Sequence, residues 1–156
     1  MIRPPRADDR GPLRALLEET GVFSGEEVGI ALELIDVATG PREQADYIVR
    51  VYEEGGEVLG YYCVGPTPAT EGTFDLYWIA VHPRAYSRGV GKALDEHATA
   101  LVGGRGGRLL VAETSSRAQY DGTRRFYLAR GYAEVARVPR YYRPDDDLVI
   151  FAKYLS

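Results

Sequence analysis

The stretch Ala80-Val81-His82-Pro83-Arg84-Ala85-Tyr86-Ser87-Arg88-Gly89-Val90-Gly91-Lys92-Ala93-Leu94 changes its periodicity midway. Before it, Thr73 to Val81 is an apolar strand that stops at His82-Pro83. From Gly89 the spacing becomes helical, with Val90, Leu94, Ala98 and Leu101 on one face. A strand therefore runs through a short loop into a helix, with Gly89 and Gly91 at the turn. Free N–H groups at a helix N-terminus, together with the helix dipole, favour a phosphate. Two glycines let a diphosphate approach the backbone, and Arg88 and Lys92 add positive charge. No Gly-Lys-Ser/Thr follows, so this is not a P-loop. The third glycine of a dinucleotide fingerprint is missing as well. An ordinary strand–helix turn would show the same Gly-x-Gly.

Upstream, Met1 to Pro4 reads as a short strand. Asp8 or Asp9 caps a helix carrying Leu13, Leu16 and Leu17, which Thr20-Gly21 breaks. Ser24 and Glu27 form a capping box, opening a helix with Val28, Leu32 and Ile35 on one stripe and Gly40-Pro41 after it. Tyr47 to Glu53 and Val58 to Val64 are strands joined at Gly55-Gly56, a hairpin signal. Gly65 to Gly72 reads as a loop. Downstream, Gly103 to Gly107 ends the glycine-led helix. Leu109 to Glu113 is a strand, Thr123 to Arg130 a short helix, and Gly131 its left-handed stop. Tyr132 to Val138 and Leu148 to Tyr154 are the last strands. The order β-α-α-β-β-β-α-β-α-β-β predicts an α/β (α+β) fold, a mixed sheet of about seven strands flanked by about four helices.

The 156 residues fit one domain spanning 1–156. Cys63 is the only cysteine, so no intrachain disulfide forms, as suits a reducing cytoplasm. It lies in an apolar strand and reads as core. No basic segment followed by an apolar run opens the chain, and no run approaches the roughly 20 residues of a membrane span. A formal charge of −4 argues against nucleic acid as partner. Neither His82 nor His97 has a neighbour at metal-ligand spacing, so no metal is expected.

A second signal is Thr123-Arg124-Arg125-Phe126-Tyr127-Leu128-Ala129-Arg130-Gly131-Tyr132. A tyrosine sits on a short helix that ends at glycine, and its hydroxyl is able to give a proton to a leaving group. Core packing explains an isolated Phe-Tyr pair equally well.

Together, in this order and context, the two segments resemble the GNAT superfamily of N-acetyltransferases. The first resembles its acyl-CoA motif, Arg/Gln-x-x-Gly-x-Gly/Ala, and the second its Phe-Tyr-x-x-x-Gly-Phe/Tyr motif. The resemblance covers essentially the whole chain. It implies acetyl-CoA as co-substrate and direct transfer of an acetyl group to a primary amine, on a small molecule or peptide. Its diphosphate would lie on the N–H groups of Ser87, Arg88, Gly89, Gly91 and Lys92. The backbone of Ile79 and Val81 would pair with the pantetheine arm, and Tyr127 would protonate the departing thiolate. Tyr86 stands where the motif has Arg or Gln. Tyr120 stands where many relatives place an Asn that touches CoA. Dimers are frequent in the family, which leaves a homodimer open.

The family resemblance offers two bases. Asp75 matches the glutamate of the histone-acetylating branch, and Glu113 that of the branch acetylating ribosomal-protein N-termini. Alternation puts Asp75, Tyr77, Ile79 and Val81 on one face. Glu113 precedes Thr114-Ser115-Ser116, which reads as a polar cleft and favours it. The acceptor pocket is expected between the loops Glu18 to Glu27 and Val138 to Asp147. Tyr141 and Tyr142 supply aromatic walls there, and Asp145 to Asp147 supply negative charge for an ammonium group. A non-catalytic acyl-CoA-binding or sensory module of the same fold is the alternative, which the presence of Tyr127 disfavours. A nucleotide-binding domain lacks its lysine and its ribose ligand here.

Overall fold

Each apolar run of the chain finds a partner in one twisted sheet, and the helices cover both of its faces. The computed structural model describes residues 1–155. In chain order the elements are β1 (Ile2–Arg3), α1 (Arg10–Glu19), α2 (Gly25–Thr39), β2 (Ile48–Glu54), β3 (Glu57–Pro66) and β4 (Thr73–Val81). They continue with α3 (Val90–Gly104), β5 (Leu109–Ser115), α4 (Asp121–Ala129), β6 (Ala133–Arg143) and β7 (Asp146–Tyr154). The seven strands lie in the order β1-β2-β3-β4-β5-β7-β6. Only β4 and β5 run parallel. The mixed sheet predicted from the element order is the one observed. Among the described residues, no helix is long and apolar enough to cross a membrane.

The helices divide between the faces as their apolar stripes dictate. Leu13, Leu16 and Leu17 of α1 and Val28, Leu32 and Ile35 of α2 pack on Val49, Val51, Tyr61 and Cys63. Val90, Leu94, Ala98 and Val102 of α3 pack on the other face, against Leu59, Tyr62, Val64 and Leu110. The three α1 leucines are fully buried, and each contributes about 1.5–3 kcal/mol. β3 reads as continuously apolar because it is buried on both faces.

Four local readings are corrected. Asp9 precedes α1 without capping it; its carboxylate instead takes the Arg3 guanidinium at 2.8 and 2.9 Å and the Arg6 N–H at 2.7 Å. β5 runs on to Ser115 and α4 opens at Asp121. The segment Val138 to Asp147 is not a free loop. β6 extends to Arg143 and pairs it with Asp146, so most of that segment is the end of a hairpin.

The fourth correction matters most. β3 pairs Cys63 with Trp78 and Val64 with Leu76, which leaves Tyr77 as an extra residue in β4. A bulge of this kind breaks the period-2 alternation. Phe74, Leu76, Ile79 and Val81 therefore face the α3 side, whereas Tyr77, Trp78 and Ala80 face the α1/α2 side. Asp75, between Phe74 and Leu76, shares the face of Tyr77 and not that of Ile79 and Val81. The bulge also adds twist where β4 parts from β5. The two strands pair only over Thr73–Asp75 and Leu109–Val111. Beyond that, β4 continues along β3 to Val81 and β5 along β7 to Ser115, leaving a wedge between them.

Candidate active site

The wedge collects the chemistry. At its far end stands the N-terminus of α3. Its N-cap is Gly89, at φ 81°, with no side-chain cap. Ser87 also has a left-handed φ, 62°. Left-handed backbone is uncommon outside glycine, and here it bends the chain tightly before the helix. A Cβ built on Gly89 meets nothing within 4 Å, so the space above the turn is open, as an incoming diphosphate requires. The turn therefore fits a phosphate-bearing co-substrate. Gly91 has a packing role besides the one read from sequence. Its Cβ would stand 3.0 Å from Phe126 Cε1, so this glycine lets α3 and α4 close on each other. Arg88 is engaged by Glu54 at 2.5 Å, and Lys92 lies 4.0 Å from Glu96. Both pairs are half-exposed, and such pairs are weak. The β4 segment from Leu76 to Val81 has no β5 partner, and it contains Ile79 and Val81.

On the α3 side of the sheet lies Tyr127. It is 5% exposed, among the rings of Tyr132 at 5.1 Å, Phe151 at 5.4 Å and Phe126 at 5.9 Å. Burial pushes its phenol well above the ordinary value, and the Asp95 charge adds to this. A phenol so placed keeps its proton at physiological pH, the state a general acid needs.

On the α1/α2 side is a groove of about 270 Å³ lined by Asp75, Leu76, Tyr77, Val111, Glu113 and Tyr142. Both carboxylates proposed as base thus open into one space. Asp75 accepts the Thr67 hydroxyl at 2.8 Å. The Tyr77 phenol is raised to about 12, by burial first and Asp75 second. Glu113 is exposed on β5. Tyr142 is pushed up to about 12, by burial and then by Glu113, Tyr141, Asp146 and Glu27. Tyr141 lies edge-on against Tyr142 at 4.9 Å and is 56% exposed, outside the groove lining.

Asp145 of the β6–β7 turn is exposed, but Asp146 and Asp147 are not free ligands for an ammonium group. Asp146 is buried, accepting the Ser115 hydroxyl and the Ser116 N–H. Asp147 accepts the Arg140 N–H at 2.8 Å. The charge they offered in the sequence is consumed in closing the turn.

Two sets of contacts at the site escaped the sequence reading. The Tyr120 hydroxyl donates to Glu27 Oε2 at 2.6 Å, while Glu27 Oε1 accepts the Ser24 N–H at 3.0 Å. The capping box was legible, but its second, long-range bond was not. Phe23 fills the corner between Trp78 at 5.4 Å and Tyr120 at 6.3 Å, and Gln119 donates to the Val22 carbonyl. The α1–α2 connection is thereby tied across the wedge to the turn before α4, and Tyr120 belongs to this crossing.

The histidines are engaged elsewhere. His82 Nε2 meets Glu19 at 2.7 Å, and His97 Nδ1 meets the Tyr62 hydroxyl at 2.8 Å. Among the described residues, no three His, Cys, Asp or Glu side chains converge as metal ligands. Cys63 is buried, and burial raises its thiol to about 12. A larger cavity, about 440 Å³, lies by β1, α1 and the β2–β3 hairpin. Its Arg3, Asp9, Glu53 and Arg84 are paired with carboxylates or guanidiniums nearby, and it shares no lining residue with the groove of Asp75 and Glu113.

A family model described as acetyltransferase (GNAT) domain matches residues 45–134. A GNAT-family protein from Desulfovibrio desulfuricans is 39% identical, with a TM-score of 0.95 over 100% of this chain and 99% of that one. The ribosomal-protein-S18-alanine N-acetyltransferase of Escherichia coli shares the fold at 21% identity and TM-score 0.79, over 100% of this chain and 94% of that one. An aminoglycoside 6'-N-acetyltransferase complexed with coenzyme A does so at 16% and 0.77, over 100% and 97%. No curated protein matches.

Proposed function

The chain belongs to the GNAT acetyltransferase family, and from that premise we propose that it moves an acetyl group from acetyl-CoA to a primary amine by direct attack in a ternary complex. One observation carries the reading. The β4–β5 wedge has an open, glycine-led helix N-terminus at its end and a two-carboxylate groove on one face, while a buried tyrosine lies in the core on the α3 side of the same sheet. Acetyl-CoA supplies the acetyl group as an activated thioester.

The N–H groups of Ser87, Arg88, Gly89, Gly91 and Lys92 receive the diphosphate, and Gly91 also keeps α3 close to α4. The open backbone of Ile79 and Val81 receives the pantetheine amides. In the groove, Tyr142 and the carboxylates receive the acceptor as ammonium. Glu113 takes one proton from it, directly or through water, because the free amine is the nucleophile. The N–C bond forms as the C–S bond breaks, and the nitrogen releases its second proton to water. Tyr127 gives its proton to the departing sulfur and recovers one from solvent, so one proton is released per turnover. Asp75, already held by Thr67, is the other candidate base and orients the acceptor if Glu113 acts. With no Cys/His pair assembled, no acyl-enzyme is required.

A thiol-release screen with acetyl-CoA against amino acids, polyamines, aminoglycosides and peptides tests this. Release of CoA thiol together with an N-acetylated product is expected for at least one amine. Acetyl-CoA binding with no turnover across the panel counts against the assigned chemistry.

A further inference from the structure

Asp95 is a buried carboxylate that exchanges no proton in the transfer chemistry. It lies on α3 and is 2% exposed. Its Oδ1 accepts the Tyr132 hydroxyl at 2.9 Å and its Oδ2 the Lys153 ammonium at 2.7 Å. Lys153 also donates to Thr99 at 3.0 Å and stands 4.6 Å from the Tyr132 ring centre. One point thus joins α3, β7 and the residue that leads into β6.

Such a pair is a poor way to gain stability, because desolvation offsets much of the Coulomb attraction and an apolar pair would pack as well. What the polar version adds is direction. A hydroxyl donating to a carboxylate that an ammonium holds from its other oxygen cannot rotate away cheaply. The Tyr132 ring is therefore fixed in place, and it is the nearest ring to Tyr127, 5.1 Å between centres. Phe151 adds a second contact at 5.4 Å. Among the described residues no side chain hydrogen-bonds the Tyr127 hydroxyl, and its ring is held by rings.

We propose that Asp95 is a positioning residue for the general acid: by locking Tyr132 it fixes the bed on which Tyr127 lies. The proposal rests on the reading of Tyr127 as that acid. A plain staple between α3 and the sheet would have the same contacts but a different kinetic signature.

Asp95→Asn, Tyr132→Phe and Lys153→Met are measured singly and on a Tyr127→Phe background, for kcat, acetyl-CoA KM and CoA affinity. Asp95→Asn and Tyr132→Phe are expected to lower kcat on the order of 10-fold to 100-fold, as small misplacements of a catalytic group do. KM and CoA affinity should hold within about twofold, since uniform binding is untouched. On the Tyr127→Phe background neither change should lower kcat further, because residues that act through one another are not additive. Equal losses on both backgrounds, or a loss confined to KM, overturn the proposal and leave a staple. Tyr132→Phe keeps the ring and the ion pair, so it carries the test alone if Asp95→Asn fails to fold. Tyr127→Phe with undiminished kcat refutes the acid itself, an outcome distinct from additivity.

Discussion

The Tyr120 hydroxyl donates to Glu27 Oε2 at 2.6 Å although the two residues are 93 positions apart in the chain. This bond ties the first turn of α2 to the turn before α4. Burial first, then the Glu27 carboxylate, pushes the Tyr120 phenol well above its ordinary value, so the hydroxyl stays a donor. Tyr120→Phe should cost about 1.5–3 kcal/mol, the range for a hydrogen bond to a charged group. Because the bond shapes the acceptor side, the acceptor KM should rise roughly 10-fold with CoA affinity unchanged. Chemical denaturation, calorimetry with CoA and acceptor-dependent kinetics check the three parts.

The two glycines of the α3 turn should separate in experiment. Gly89→Ala forces a side chain into left-handed backbone, which costs about 1–2 kcal/mol, and points it into the open space assigned to the diphosphate. CoA affinity should therefore fall. Gly91→Ala drives its Cβ onto Phe126, an overpacking that costs typically 1–3 kcal/mol. Its stability should be partly restored by Phe126→Leu, which no substitution at 126 would do for Gly89→Ala. Thermal unfolding and CoA calorimetry on the single and double variants decide it.

Strand and helix identities were legible because each run kept one period. Leu13, Leu16 and Leu17 repeat as a helix, and Val49 to Val51 as a strand between apolar neighbours. The turn at Gly89 was legible through its glycines. What one sequence does not carry is a defect in a period. The Tyr77 bulge moved Asp75 and Ile79 to opposite faces, and nothing near Tyr77 marks it, because the extra residue is fixed by pairing with β3. The crossing from Glu27 to Tyr120 was hidden for a similar reason: a capping glutamate has a second oxygen, and its partner lies far away in the chain. Asp146 looked like part of a free acidic loop because its partners, the Ser115 hydroxyl and the Ser116 N–H, lie about 30 positions away at the end of β5.

Arg3 and Asp9 set an acid limit on stability. The guanidinium, more than any other cause, holds the Asp9 carboxyl below its usual value. A carboxyl depressed on folding contributes stability above its unfolded pKa, near 3.9, and loses it as pH falls through the folded value. Asp9→Asn leaves the buried Arg3 with Glu53 as its one carboxylate partner among the described residues, and breaking a buried pair costs up to about 3–5 kcal/mol at neutral pH. The gap to wild type should narrow as pH falls below 4, which urea midpoints at several pH values measure.

Tyr127→Phe removes the donor but keeps the ring in its bed of Tyr132 and Phe151. Turnover should fall about 10²–10⁴-fold, the usual worth of general-acid assistance. Acetyl-CoA affinity should hardly move, since the hydroxyl acts only as the sulfur departs. Stopped-flow turnover beside equilibrium CoA binding separates the two.

The base is decided by how two defects depend on pH. Glu113 and Asp75 open into the same groove, so loss of activity alone in either variant would not identify the acceptor of the proton. Near neutral pH an amine of pKa about 10 is almost wholly ammonium. A base is then needed in every turnover, whereas at high pH the free amine arrives unaided. Glu113→Gln should therefore cost most at low pH and progressively less as pH approaches the amine's own pKa. Asp75→Asn keeps a group able to meet the Thr67 hydroxyl and should alter acceptor binding by a similar factor at every pH. If Asp75 is the base, the two profiles exchange. Turnover at saturating acceptor, followed against pH for wild type and both variants, distinguishes these cases. Three parallel profiles would assign the proton to ordered water and leave both carboxylates with binding roles only.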